Sequence, residues 1–489
     1  MSRLFLVALV ALIALVVAFA HPQGASDADK LFHGLIEALN GNDSAKLKAF
    51  VGANFTDEVP LEQRLARIGG LIEQGAPFEI LKVLDQSPGR YRALVRDKHG
   101  DEVEFGIELT ADTPPKIRRI MVRPVGDEGD VAPKDYSGWT DLARLADEIR
   151  KDRNAPALGI AVIHDGKAAT VARGVRELGK PDEVGPDEPW SIGSIGKPIC
   201  STIIGKLIEA GKLRWDTTLG EALGDFPMDD GYRGVTLEQI MHHRGGIPQD
   251  MGFSGATVER IVAGATDPLK VRENYARAIL SRKPISKAGT SFAYSNAGYA
   301  LLAIVAERTL GKPYEQLVRE IVFEPLGLRH SFVGTSTLPE ARPNGHVPGP
   351  SGKLEPRFLT GPLETMLVGA GGGMWMSVGD LAAFGAEHLK GLKGQDGLLK
   401  ATTVERLHRG EPEPGGDRAY ACGWSVQEGP VLGPIHGHNG SNGTFRAELG
   451  VFPKLNLAVA SITNRGGESD PSPTLQAVMA VARHYAKSN

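Results

Sequence analysis

Residues 190–213 read WSIGSIGKPICSTIIGKLIEAGKL, and they join a helix signal to a nucleophile. Ile199, Ile203, Ile204, Leu207 and Ile208 recur at three- and four-residue spacing, the mark of one apolar helix face. Gly211 supplies the stop. Ser194 and Lys197 stand at the head of that helix, three residues apart, which places both side chains on one face. A serine hydroxyl is a weak nucleophile. A neighbouring ammonium and the positive end of a helix both stabilise the alkoxide as it forms, and a lysine that has lost its proton on burial can act as a base instead. Alone, the Ser-x-x-Lys spacing is a weak motif, because an ordinary helix start with an exposed lysine carries the same letters.

Two stretches further on supply partners. Tyr294-Ser295-Asn296 sits between the turn Gly289-Thr290 and a helix that the pattern predicts to be amphipathic. A tyrosine among cations can relay a proton, and an asparagine can hold a substrate amide. The plain alternative is a helix cap made by Ser295 or Asn296, with Tyr294 in the core. His438-Asn439-Gly440-Ser441 comes just before a strand predicted to start at Phe445. A glycine there lets an extended substrate approach and pair with the backbone, and the plain alternative is a Gly-rich hairpin turn. Gly369-Ala370-Gly371-Gly372-Gly373 reads as a loop and lacks the GK[ST] of a phosphate loop.

Each motif alone is explained by its plain alternative; their order makes them specific. Together with VTLEQIMHHRGGIP (235–248), GTSFAYSNAGYALLAIVAE (289–307), VFEPLGLRHSF (322–332), GAGGGMWMSVGDLAAF (369–384) and HGHNGSNGTFRAEL (436–449), they make the chain from about residue 140 to 485 resemble the β-lactamase-related serine hydrolases. That superfamily includes class C β-lactamases, penicillin-binding DD-peptidases, D-aminopeptidases and esterases. The resemblance implies an α/β (α+β) serine β-lactamase/transpeptidase-like fold, an antiparallel sheet flanked by helices. It implies Ser194 as the acylated nucleophile, Lys197 as its activating partner and Tyr294 as general base and leaving-group acid. Asn296, His438, Gly440 and Ser441 fall at substrate-binding positions, with the backbone N–H groups of Ser194 and Ser441 as the oxyanion hole. It implies no cofactor and no metal. The expected partner is a small-molecule or peptide substrate, a β-lactam, an ester or a D-peptide.

This sequence departs from the family pattern at two places. His438 stands where many β-lactamases carry the Lys of a K-T-G triplet, and a neutral imidazole attracts a carboxylate less than an ammonium does. The substrate class therefore stays open between β-lactam hydrolysis and an esterase or D-amino-acid-specific peptidase. His243-Arg244-Gly245-Gly246 replaces the usual H-T-S-G, where a structural role is expected.

Working outward, residues 1–20 (MSRLFLVALVALIALVVAFA) have the pattern of a cleaved secretory signal. Arg3 precedes an apolar run that ends in the small-x-small site Ala18-Phe19-Ala20. The run also just reaches the length of an uncleaved anchor. The expectation is a secreted or periplasmic protein with no stable membrane span after cleavage. Residues 27–125 read as a small α+β domain. Leu31, Phe32, Leu35, Ile36 and Leu39 form a helical stripe, Asn40-Gly41-Asn42-Asp43 breaks it, and Val103, Phe105, Ile107 and Leu109 alternate with Glu102, Glu104, Gly106 and Glu108 as in a half-buried strand. Tyr91 to Val95 and Ile117 to Val122 are further strands. This segment resembles the NTF2-like (cystatin-like) accessory domains. Residues 126–138 have linker composition, and residues 139–489 are the expected hydrolase domain, with first and last strands lying together.

Composition narrows the rest. Of 489 residues, 41% are hydrophobic and 23% charged, ordinary for a globular chain. Lys plus Arg, 55, against Asp plus Glu, 59, leaves a net charge of −4, with no basic footprint for nucleic acid. Two cysteines, Cys200 and Cys422, exclude a disulfide scaffold, and each is expected as a buried free thiol. Two competing readings differ in class. A binding protein that had lost activity would be expected to lack Ser194, Lys197 or Tyr294. A metallohydrolase would use His242, His243, His436 and His438, but no carboxylate stands at ligand spacing and H-E-x-x-H is absent.

Overall fold

The structure is a computed structural model. It describes residues 26–488 apart from 42, 57–60, 88, 99, 101, 111, 125–133, 250–260, 264–266, 335–336, 350–352, 359–361, 414–417 and 468–471. The signal-like stretch 1–20 and most of the 126–138 segment lie outside the described residues. Among those described, no helix is long and apolar enough to cross a membrane. The chain divides into two compact units, Met1–Val122 and Arg123–Asn489.

In the first unit, helices α1 (Asp27–Asn40), α2 (Ser44–Asn54) and α3 (Leu61–Gly75) accompany a four-stranded antiparallel sheet in the order β1 (Glu79–Ser87), β2 (Arg90–Arg96), β3 (Glu102–Leu109), β4 (Ile117–Pro124). Ser26 accepts from the Asp29 N–H to cap α1, and its buried stripe Phe32, Leu35, Ile36 and Leu39 covers the sheet. Phe32 stacks on Tyr91 with ring centroids 4.4 Å apart. α3 was not singled out from sequence although Leu61, Leu65, Ile68, Leu71 and Ile72 recur at helical spacing, whereas β1 carries little signal. In β1, Val83 and Leu84 are both exposed, so no clean alternation marks it.

The second unit is built on an eight-stranded antiparallel sheet. Its strands are β5 (Ala157–His164), β6 (Lys167–Gly174), β7 (Glu411–Pro412), β8 (Arg418–Tyr420), β9 (Ser425–Gly429), β10 (Gly433–Ser441), β11 (Arg446–Phe452) and β12 (Leu457–Thr463), in the order β7-β8-β9-β10-β11-β12-β5-β6. β5 and β12 are neighbours, pairing Ser461 with Ile160, so the two ends of the unit close one sheet. Both strands are covered on two faces, which is why they read as near-continuous apolar runs. Leu158, Ile160 and Val162 point into one core with α4 (Leu142–Asp152) and the last helix, α9 (Pro473–Ser488). Ala157 and Ala161 point into the other, with α5 (Gly196–Glu209), α6 (Asn296–Leu310) and α7 (Val378–Leu392). That period of two sorts the side chains of one strand between two cores.

The α6 helix differs from the amphipathic expectation. Ala297 to Glu307 are buried all round, because α6 runs through the centre of the helical layer. The one carboxylate carried inward, Glu307, meets Arg272, which is fully buried; Arg272 Nη2 donates to Glu307 Oε1 at 2.5 Å and Nη1 to Glu315 at 2.8 Å.

Candidate active site

The position of Ser194 is fixed by three backbone segments pressed together. Ser194 lies in a short 3-10 turn, Gly193–Ile195, that feeds directly into α5. On one side is the end of β10: a Cβ added at Gly440 would stand 1.9 Å from the Ile192 carbonyl oxygen and 3.0 Å from the Ser194 nitrogen. On the other is the Gly-rich loop, where Gly371 at φ +103 approaches the Gly193 carbonyl so closely that its own Cβ would sit 1.8 Å away. Gly440 is required by the turn that carries Ser194, before any substrate arrives.

Lys197 points back along the first turn of α5 and is fully buried. Its Nζ donates to Ser194 Oγ at 3.0 Å, to Asn296 Oδ1 at 2.6 Å and to the Ala370 carbonyl at 3.4 Å. It also lies 4.6 Å from the centroid of the Tyr294 ring and 5.7 Å from that of Tyr299. Three oxygens and two aromatic faces thus replace the water removed from this amine.

Tyr294 and Asn296 reach the site because α6 starts between them. Ser295 caps the helix, its Oγ accepting from Gly298 N–H at 2.9 Å and donating to the Pro248 carbonyl at 2.9 Å. The Ser295 N–H donates to His243 Nδ1 at 3.1 Å, and the His243 ring rests 4.3 Å from Tyr294. Burial, reinforced by the Lys197 charge, holds His243 well below the ordinary imidazole range. His243 is therefore a neutral prop for the tyrosine segment. His242 Nδ1 pairs with the Tyr420 carbonyl, and its Nε2 lies 3.5 Å from the free, buried Cys422 thiol.

His438-Asn439-Gly440-Ser441 stands ahead of the strand at Arg446, and it is itself a strand end and not a hairpin turn: it forms the last four residues of β10 and pairs with β11, Gly440 opposite Ala447 and Ser441 opposite Arg446. On the other edge, the β9 ladder ends at the Ser425–Gly437 pair, so the described residues put no strand beside His438 to Ser441 there. The His438 ring is buried, with Nδ1 2.5 Å from the Asn439 carbonyl and Nε2 2.9 Å from the Tyr420 hydroxyl. A carbonyl can only accept, so Nδ1 carries the proton, Nε2 is the lone pair, and the Tyr420 hydroxyl donates to it. Burial first, and then Lys197, push His438 down to about 3.

Ser194, Tyr294, Asn439, Gly440 and Ser441 line a cleft of about 280 Å³. Arg446 and Glu448 of β11 line it too, and burial pushes the Glu448 carboxyl up to about 7. Tyr420, the Ala370 carbonyl and these two charged residues were not singled out from sequence. Only the Gly-rich run around Ala370 gave a hint. Among the described residues, no cluster of three or more His, Cys, Asp or Glu is arranged to hold a metal ion.

A serine in hydrogen bond with a buried lysine, beside a tyrosine and a strand with one open edge, is the arrangement of a serine hydrolase of the β-lactamase superfamily. A sequence profile of the Beta-lactamase family matches residues 142–483, and the chain belongs to that family. It is 27% identical over 347 residues to penicillin-binding protein 4 of Amycolatopsis lactamdurans, covering 68% of this chain and 86% of that one. The octameric penicillin-binding protein homologue from Pyrococcus abyssi superposes with a TM-score of 0.59 at 25% identity, over 70% of this chain and 77% of that one. A class C β-lactamase shares the fold at TM-score 0.57 and 18% identity, over 71% of this chain and 95% of that one.

Proposed function

We propose that this is an exported acyl-enzyme hydrolase of amides and esters, β-lactams included, with Ser194 as the nucleophile. The observation that carries the reading is the 3.0 Å bond from Lys197 Nζ to Ser194 Oγ inside a fully buried environment. Tyr294 takes the hydroxyl proton as Ser194 Oγ attacks the substrate carbonyl, while the Lys197 ammonium, whose N–H groups face Ser194, Asn296 and the Ala370 carbonyl, stabilises the charge that develops on Oγ. The oxyanion forms against the backbone N–H groups of Ser194 and Ser441, one such donor being worth about 10²- to 10³-fold in rate. Tyr294 returns the proton to the leaving nitrogen or oxygen, and water then releases the acyl group. Asn296 orients Lys197 as well as the substrate amide. The open edge of β10 takes the substrate as an added strand.

The esterase or D-peptidase branch draws specific support from His438. Its two nitrogens are occupied by Tyr420 and the Asn439 carbonyl, and it stays neutral at any working pH, so it offers no cation to a substrate carboxylate. Residues 1–20 serve as the export signal, residues 27–125 as an accessory NTF2-like domain, and residues 139–489 as the hydrolase domain. The test compares a chromogenic cephalosporin with a p-nitrophenyl acyl ester on the mature protein and on Ser194→Ala. Cephalosporin turnover abolished by the substitution makes the protein a β-lactamase. Ester turnover alone, lost in the same variant, places it in the esterase or peptidase branch. Turnover that survives Ser194→Ala ends the proposal.

A further inference from the structure

Three histidines outside the acyl-transfer site lie end to end in the core of the second unit. His388 on α7 has Nε2 3.0 Å from the Thr202 hydroxyl on α5. His388 Nδ1 lies 3.0 Å from His408 Nε2, where His408 caps helix α8 (Ala401–Leu407). His408 Nδ1 lies 3.2 Å from Nδ1 of His436, which stands on β10 two residues before His438. All three are buried, and the Trp424 ring lies against the middle of the chain, 4.4 Å from His408 and 4.8 Å from His388. Burial keeps them neutral, His388 falling to about 3 and His436 to about 4.

Hydrogen-bond arithmetic gives the chain one direction. A neutral imidazole has one N–H and one lone pair. The single hydroxyl proton of Thr202 goes to the Pro198 carbonyl at 2.9 Å, so His388 Nε2 must donate to Thr202. His388 Nδ1 is then a lone pair, which His408 fills from Nε2–H, and His408 Nδ1 is a lone pair, which His436 fills from Nδ1–H. One flipped tautomer sets two lone pairs or two N–H groups face to face, and a proton added to His388 or His408 sets two N–H groups so. The four links therefore form or fail together.

We propose that this chain positions the reacting groups: through His408, the central link, it holds β10, with its oxyanion-forming end, in register with α5, which carries Ser194 and Lys197. The inference rests on the reading of Ser194 and Ser441 given above. None of the three histidines is a catalytic residue; each acts through the two backbones it joins.

Two experiments test it. Nitrogen-15 correlation spectra of the imidazoles at pH 7 report each tautomer without substrate. The expected pattern is Nε2–H on His388 and His408 and Nδ1–H on His436; the loss of any of these three N–H groups, or a second proton on His388 or His408, overturns the chain. The second compares His408→Gln, which keeps a donor and an acceptor, with His408→Leu, which keeps neither, using ester hydrolysis. His408→Leu is expected to lower kcat at least tenfold with KM within twofold, and His408→Gln to restore most of it. Equal kcat in all three proteins, or Gln no better than Leu, overturns the positioning role. Should His408→Leu not fold, Thr202→Val removes the terminal acceptor at constant shape. A fall in its kcat supports the role and an unchanged kcat overturns it. Activity persisting in Ser194→Ala would remove the nucleophile reading, while the tautomer spectra still judge the chain on its own.

Discussion

The contact between β10 and the nucleophile turn can be broken with one carbon atom. At Gly440→Ala, the new Cβ starts 1.9 Å from the Ile192 carbonyl oxygen and 3.0 Å from the Ser194 nitrogen. Both neighbours are backbone, so no side chain can swing aside. Opening 1.9 Å to an ordinary contact moves the strand end and the turn apart by on the order of 1 Å, and a misplacement of that size costs about 10²-fold in rate. The displaced atoms include both oxyanion donors of the proposed mechanism, Ser194 N–H and Ser441 N–H, and losing one such donor costs about 10²- to 10³-fold. Gly440→Ala should therefore lower kcat by about 10²- to 10³-fold while the protein still folds. Gly234→Ala is the matched control, since a Cβ there meets nothing within 4 Å. The assay is ester hydrolysis under saturating substrate, with circular dichroism to confirm folding. A Gly440→Ala protein within threefold of wild type would refute the claim that this contact sets the oxyanion geometry.

Other expectations follow from named contacts. Tyr420→Phe leaves a buried lone pair on His438 Nε2, which should cost about 1–3 kcal/mol in denaturant unfolding. It should also lower kcat about tenfold, equivalent to about 1.4 kcal/mol in the barrier, as the end of β10 loosens; an unchanged protein on both counts would deny Tyr420 its role. Arg272→Met strands Glu307 in the core and should cost about 3–5 kcal/mol of stability with activity per folded molecule unchanged, read by urea titration alongside ester turnover. Acid should destabilise the second unit early. His388, His436 and His438 are held at about 3, 4 and 3, whereas in the unfolded chain each titrates near 6.5. Below pH 6.5 the unfolded chain takes up protons that the folded protein refuses. Their stability contribution is thus whole above that pH and is lost as pH falls toward 4, at roughly 1.4 kcal/mol per pH unit for each histidine. Calorimetry should show Tm dropping steadily from pH 6.5 to 5, and a flat Tm across that range would contradict the burial of neutral rings.

What the sequence revealed, and what it hid, divides along physical lines. Elements whose own residues carry the pattern were legible: the α5 face from Ile199 to Ile208, the strand Glu102–Leu109 with its alternation, and β12, whose every residue is buried. Ser194, Lys197, Tyr294 and Asn296 were legible as a set only through the resemblance that their ordered blocks carry; the spacing at a helix start placed Ser194 and Lys197 on one face and went no further. Contacts made only by tertiary approach were not. Tyr420 reaches His438 from a three-residue strand, and the Ala370 carbonyl reaches Lys197 from a loop; neither position has a local signature. The three-histidine chain is spread over α7, the end of α8 and β10, so no window of sequence holds two of its links. For His438-Asn439-Gly440-Ser441 the plain alternative was a Gly-rich hairpin turn. Ladder pairing with β11 overrides that local preference.

The most direct test of the central claim is the covalent intermediate itself. The mature protein is mixed with an activated acyl ester or a β-lactam, quenched in acid within the first turnover and weighed intact, and its peptides are then sequenced by mass spectrometry. The account predicts a mass gain of one acyl group, carried by the peptide that contains Ser194 and absent from Ser194→Ala. An adduct on another residue, or one that persists in Ser194→Ala, would contradict it.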